Sequence, residues 1–320
     1  MGRRAGYILL VLAGFLLVTG AASKWYVYPR LAVAPLDQDS LTVLFGPDIT
    51  YFSKATLTEQ VDDLTINLKT VGDVDAAKSY GHDVAVWSQG TTTVTSDGTT
   101  IDTLEQVTPF DRKSAEAVDC CNATFAGRPF TFSGLIYKWP FNSQKHDYQF
   151  FANDSKQTVT FHFDGTETID GLRCYRYVSD FGPTQIGTQS VPSRLVGAKP
   201  GEMLTLPEYT TNHRVFHIEP ETGVIIKAEE NPDTVLRYQG EDALTITKGH
   251  AEYDTKTVQG NVDDYKGKAT QLHLIRVVVP IVGLVVGLLC LIVGLGVLLL
   301  DLRRSRRPTP EPAPVEPVGS

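Results

Sequence analysis

Residues 277–300 read VVVPIVGLVVGLLCLIVGLGVLLL, 24 positions without a charge. As an α-helix rising 1.5 Å per residue, this stretch covers about 36 Å, enough to cross a bilayer's hydrocarbon core with some tilt. Leu302-Arg303-Arg304-Ser305-Arg306-Arg307 follows, a basic stop of the kind retained on the cytoplasmic side. A soluble core helix rarely needs such a run of Val, Leu, Ile and Gly. The reading is therefore a transmembrane helix over 277–300. Behind it lies an Arg/Pro-rich cytoplasmic tail over 301–320, whose prolines at 308, 310, 312, 314 and 317 predict disorder.

The other end has the same polarity. Residues 1–6 carry Arg3 and Arg4, and residues 7–23 carry no charge. This is either a signal peptide with small residues at Gly20-Ala21-Ala22 for cleavage, or a retained signal-anchor near the lower length limit for spanning. Both versions put Lys24 outside and keep the arginines inside, so both termini are expected to be cytoplasmic and residues 24–276 extracytoplasmic, on a plasma membrane. The tails are net basic, so the region between the spans holds about −11 of the chain's −8. That sign argues against a nucleic-acid partner, which requires a basic face. The expected partner is membrane lipid.

Between the spans the chain reads as strands and turns. Leu64, Ile66 and Leu68 alternate with polar residues, as in a half-buried strand. Thr91–Thr95 and Ile101–Val107 flank Ser96-Asp97-Gly98, a hairpin signal. Val215–Ile218 and Gly223–Ala228 flank Pro220-Glu221-Thr222 in the same way. Leu41–Phe45 ends at Gly46-Pro47, Thr131–Tyr137 and Leu172–Val178 read as strands, and Asp111–Val118 reads as a short helix. The fold class is mainly β: a large antiparallel β-barrel or sandwich over 24–260, set between two terminal transmembrane helices. A membrane-proximal helix is predicted over 261–276, with Asp263 and Asp264 near its start and a bend at Pro280.

The expectations for individual residues are these. Of four cysteines, Cys290 sits in the span and three lie outside, where disulfides persist. A bridge between neighbours is sterically strained, so Cys174 is expected to pair with Cys120 or Cys121. Gly283, Gly287, Cys290 and Gly294 line one helix face with small residues, which suits close packing on the N-terminal span or on a second copy. The aromatic run Tyr137-Lys138-Trp139-Pro140-Phe141, followed by Phe150 and Phe151, reads as a core strand or as an apolar lining for a lipid-like ligand. His213 and His217 are four apart on a strand, about 13 Å, too far to share a metal. HExxH, GxSxG, GxxxxGK and GxGxxG are all absent, so no catalysis, cofactor or metal is expected.

The order of these features resembles an actinobacterial membrane-protein family, the porin PorA family. It runs from an N-terminal span through Asp111-Arg112, Tyr137-Lys138-Trp139-Pro140-Phe141, Gly165-Thr166-Glu167, Gly171-Leu172, Tyr175-Arg176-Tyr177 and Pro220-Glu221-Thr222-Gly223 to a C-terminal span. The family carries no established function and no catalytic residues to transfer. More loosely, the two terminal spans around a β-rich domain are similar to CD36-type scavenger receptors, and that architecture implies a hydrophobic tunnel. The favoured expectation is an envelope protein whose outer domain binds or transfers lipid. The alternatives are a structural or interaction protein of the envelope, and a pore. A membrane β-barrel needs apolar lipid-facing strands and no long apolar helix, which counts against the pore.

Overall fold

The computed structural model describes residues 2–81 and 83–305, so most of the tail expected beyond Asp301 lies outside the described residues. The chain forms two compact units: residues 1–31 with 271–320, and residues 32–270.

The first unit is a helix pair. α1 (Gly2–Ala22) passes through a π-helical turn (Ser23–Val27) into α2 (Tyr28–Leu31). Its partner enters the unit from the β region. The second unit begins with β1 (Asp39–Ser53), β2 (Thr58–Gly72), α3 (Val74–Tyr80), β3 (Val84–Val94) and β4 (Thr100–Asp111). The short β5 (Thr124–Phe125) and β6 (Arg128–Pro129) follow, then β7 (Tyr148–Ala152), β8 (Gln157–Ile169) and β9 (Leu172–Pro192). Next come β10 (Met203–Ile218), β11 (Ile225–Tyr238), β12 (Glu241–Lys248) and β13 (Ala251–Tyr253). α4 (Thr255–His273), a second π turn (Leu274–Val278) and α5 (Val279–Ser305) complete the described chain.

The strands form one antiparallel sheet in the order β6-β5-β4-β3-β2-β1-β12-β11-β10-β9-β8-β7, with β13 pairing β1 and β11. Among the described residues, β4 and β7 are linked through isolated bridges, Phe110 to Ala117, Glu116 to Leu135 and Leu135 to Phe150. Closure is thus uneven, and the architecture is a mainly antiparallel sheet rather than an established barrel. The stretches expected as a helix (Asp111–Val118) and a strand (Thr131–Tyr137) supply these bridges instead. In the first, the Asp111 carboxylate accepts the N–H of Lys113 and Ser114 and caps a turn, and the positive φ of Ala115 ends it before a helix can propagate. β1 continues through Gly46-Pro47, where a bulge absorbs the proline that cannot donate to the ladder.

α4 starts at Thr255, six residues before the expected position. Asp254 is its N-cap, accepting the Thr257 N–H at 2.7 Å. Asn261, the expected start, instead donates its side-chain amide to the Ile225 and Ile226 carbonyls. Those carbonyls lie where β11 carries one residue more than β10. Val262 packs there with Leu172, Cys174 and Ile226.

Both π turns precede a proline, Pro29 and Pro280. In the second turn the Val279 N–H bonds to Leu274 O, one residue beyond the α-helical partner. Ile275 O therefore loses Val279, and Pro280 has no N–H to offer it. The Ser23 hydroxyl donates to Ile275 O at 2.6 Å and satisfies it. Below this bond the helices run antiparallel on small residues. A Cβ on Gly283 would meet Leu16 O at 2.7 Å, and one on Gly287 would meet the Leu17 side chain at 2.9 Å. One on Gly294 would meet Gly6 O at 3.1 Å. Cys290 is half-buried on the same helix. Gly6, Ala13 and Gly20 form the facing stripe, all buried. Their seven-residue spacing was readable in the sequence. Arg3 Nε meets Asp301 at 2.9 Å at the far end.

Overpacking sets the expected cost of filling this seam. Gly283→Val should destabilise the detergent-solubilised chain by about 1–3 kcal/mol in thermal unfolding. Gly296→Val, in open space, should leave the midpoint where Gly283 variants lose it.

Candidate functional site

The stretches that carry the family resemblance lie far apart in sequence and converge in the second unit. The loop after Leu135 lies on the β10–β11 turn through main-chain hydrogen bonds. Trp139 N–H donates to Gly223 O at 2.7 Å, Ser143 N–H to Pro220 O at 2.8 Å and Asn142 N–H to Glu221 O at 3.2 Å. Phe141 N–H reaches Lys113 O at 3.3 Å, beside the Asp111-Arg112 element. Arg112 Nε donates to Ala34 O at 2.6 Å, which ties the same region to the chain three residues after α2. Tyr177 Oη donates to Gln144 O at 2.6 Å.

Gly223 makes this docking sterically feasible. Its φ is +75°, and a Cβ there would overlap the Trp139 carbonyl and lie 2.6 Å from Pro140 O. Only glycine combines that dihedral with so close a backbone approach.

Beneath the loop, Trp139 is fully buried. Its ring stacks on Phe150 at 5.0 Å and meets Phe161 and Tyr177 at 5.4 Å and Phe216 at 6.0 Å. Phe151 packs on Phe132 at 4.9 Å, and Tyr137 on Trp87 at 5.4 Å. Phe141 lies 3.7 Å under the Lys138 ammonium. The five residues considered for a ligand lining therefore pack on the protein's own rings and cations, four of them within one aromatic cluster or against it.

Lys138 is the group that sequence reading passed over. Its side chain is buried between Phe141 and the turn, and Nζ donates to Trp139 O at 2.8 Å. Burial pushes the ammonium down to about 7, with the Glu219 charge acting against that shift. Glu219 is buried as well, and burial raises its carboxyl above the usual range. Donors from Thr222 N–H (2.7 Å), Thr222 Oγ1 (2.6 Å) and Glu221 N–H (3.0 Å) act in the opposite direction. No sequence signal marked Lys138 as buried, because lysine is rarely so.

On the opposite face of β9 and β10, His217 Nε2 meets Glu167 at 2.9 Å, and Arg176 pairs with Asp164 and Glu167. Cys174, in the α4-covered cluster, is a free, fully buried thiol pushed up to about 12 by burial and by the nearby Glu219 and Glu167. The expected bridge from Cys174 is thereby corrected: the disulfide joins Cys120 to Cys121. The physical reason is placement. Cys121 packs with Ala77 and Val86, with Cys120 against them, in a different core cluster from that of Cys174. Asp119–Ala123 and Pro129–Thr131 line an open cleft of about 410 Å³ around the bridge. Among the described residues, no group of His, Cys, Asp and Glu is arranged to hold a metal ion.

A family model described as Porin PorA matches residues 5–296. A Corynebacterium amycolatum protein named Porin PorA is 24% identical over 297 residues, covering 72% of this chain and 77% of that protein.

Two outcomes test the docked loop. Gly223→Ala should cost more than about 3 kcal/mol or abolish folding, whereas Gly240→Ala, also at positive φ but in open space, should cost about 1 kcal/mol. Unfolding returns Lys138 to its ordinary 10.5, so the unfolded chain binds the extra proton above pH 7 and stability rises with pH from there. Thermal midpoints should rise between pH 7 and about pH 9, and Lys138→Met should flatten that rise.

Proposed function

The chain belongs to the Porin PorA family, and we propose that within it this protein is an envelope protein held in the membrane by its helix pair, with the β unit acting as an interaction module rather than as a pore wall or an enzyme. One observation carries the reading. Of the large apolar side chains exposed among the described residues, 26 lie on the terminal helices and six in the β unit: Leu41, Phe45, Val61, Val71, Tyr80 and Met203. A transmembrane barrel needs a continuous apolar band about 25 Å tall on its strands. Six side chains, four of them on the β1–β2 pair, do not form one around the sheet. The two helices, in contrast, have the length and hydropathy of membrane spans. The close-packed aromatic cluster around Trp139 favours a module over a lipid conduit.

The proposed orientation has both termini cytoplasmic and the β unit outside. Its support is the Arg3–Asp301 pair, which puts the two helix ends on one side, the arginine-rich ends of the sequence, and a disulfide that persists outside reducing compartments. The family name favours a second reading, a pore, which would then be built from assembled helices.

Purified full-length protein reconstituted into planar bilayers should show no conductance, and defined single-channel steps would restore the pore. In whole cells an impermeant maleimide should label Thr188→Cys and spare Ser320→Cys; the reverse pattern would invert the topology.

A further inference from the structure

A disulfide stabilises a fold chiefly by closing a loop of chain, and its effect grows with the length of that loop. The Cys120–Cys121 bridge joins neighbours and closes no such loop. Its reach is confined to the turn that contains it. There Cys121 and Asn122 both have positive φ, +64° and +54°. Asparagine tolerates this region, whereas cysteine rarely enters it. The main-chain hydrogen bond across the turn, from Ala123 N–H to Cys120 O, is long at 3.4 Å. The bridge thus restrains a residue whose own backbone preference lies elsewhere.

The turn leads directly into β5. That strand pairs with β4 through Gln106–Phe125 and Val107–Thr124, and with β6, which ends the strand order of the sheet. Phe125 carries the position of the turn into the core, packing on Phe130 at 5.4 Å and on Phe151 at 6.2 Å. The two sulfur-bearing residues differ in access. Cys121 is buried against Ala77 of α3 and Val86 of β3, whereas Cys120 is half-buried. Both line the open cleft of about 410 Å³, with the exposed Asp119 and Asn122 beside them. A small solute can therefore reach the bridge from the Cys120 side.

We propose that the Cys120–Cys121 bridge is a thiol-exchange site, reached through this cleft by a small dithiol, and that its redox state sets the order of the β5–β6 edge. One thiolate of the dithiol bonds to Cys120 Sγ and the bridge breaks. The released electron pair goes to Cys121 Sγ, which takes up a proton. The second thiol of the dithiol then bonds to the first, closing its own disulfide, and Cys120 leaves as a thiolate that takes up the second proton. Two electrons and two protons pass from the dithiol to the bridge. Cys121 is then free to leave the positive-φ region, and β5 loses its fixed entry. The inference goes beyond the interaction-module reading and does not depend on it.

The test uses the full-length chain in detergent, with dithiothreitol as the probe. Without denaturant, dithiothreitol followed by iodoacetamide should alkylate Cys120 and Cys121 and spare the buried Cys174, as read by peptide mass. Hydrogen–deuterium exchange should then quicken about tenfold or more over residues 119–131, stay unchanged over β9 and β10, and revert on reoxidation. Cys120→Ser/Cys121→Ser should exchange fast with or without dithiothreitol. Cys120→Ser/Cys121→Gly should exchange slowly, because glycine takes the positive φ without a bridge. A bridge that resists dithiothreitol until the chain unfolds, with Cys174 labelled alongside the pair, would overturn the proposal. So would reduction that leaves exchange over residues 119–131 unchanged, or a glycine variant that exchanges as fast as the serine one.

Discussion

A main-chain carbonyl buried away from water must find a donor, and that constraint runs through both units. In the helix pair it arises at a proline, which removes a donor from the helical ladder. Pro280 removes the N–H that would serve Ile275 O, the π turn redirects the neighbouring one, and a serine on the other helix closes the gap. The small-residue stripe has a complementary role. Without a hydrophobic force between helices in lipid, close backbone approach is what makes the pair cohere. Gly6, Ala13 and Gly20 face Gly283, Gly287 and Gly294 for that reason, and the serine lies one turn beyond the stripe.

The β unit solves the same problem with loops. A loop that crosses an aromatic core carries polar main chain over an apolar floor. Here its N–H groups are aimed at the carbonyls of the β10–β11 turn, and Gly223 allows the two backbones to touch. The Lys138 ammonium and the Glu219 carboxylate sit inside this contact. Both groups have lost hydration, and each is met by polar groups of the junction, the Trp139 carbonyl for Lys138 and the Thr222 and Glu221 donors for Glu219. Arg112 on Ala34 O ties the N-terminal end of the unit to this region, and α4 packs over Leu172, Cys174 and Ile226 in a separate cluster.

Particular elements show how much could be read in advance. The hairpin at Ser96-Asp97-Gly98 and the one around Pro220-Glu221-Thr222 are where turn chemistry predicts them, because each turn is decided by local dihedral needs. β9 and β10 run far past their apolar starts, through stretches such as Thr184–Gln189 that show no alternation. Their extension depends on pairing with each other, a non-local property invisible to periodicity. The α4 start was misplaced because Asp254 lies behind a strand-like run and only the folded N-cap identifies it. The cysteine pairing failed for a similar reason: sequence order says nothing about which core cluster a side chain enters.

Length and hydropathy determined that two segments are fit to span a membrane, and alternation with turn residues that the region between them is mainly β. Those signals are local and need no knowledge of distant neighbours. The family-bearing stretches were also visible, as separate islands. Only the tertiary structure decided that residues 111–113, 137–144, Tyr177 and residues 220–223 meet at one junction, that the aromatic rings there pack on one another, and that Lys138 is buried within it. It also decided that Ser23 answers a carbonyl 252 positions away. Each of these depends on distances between residues remote in the chain, and such distances are set by the packing of the whole sheet and the helix pair.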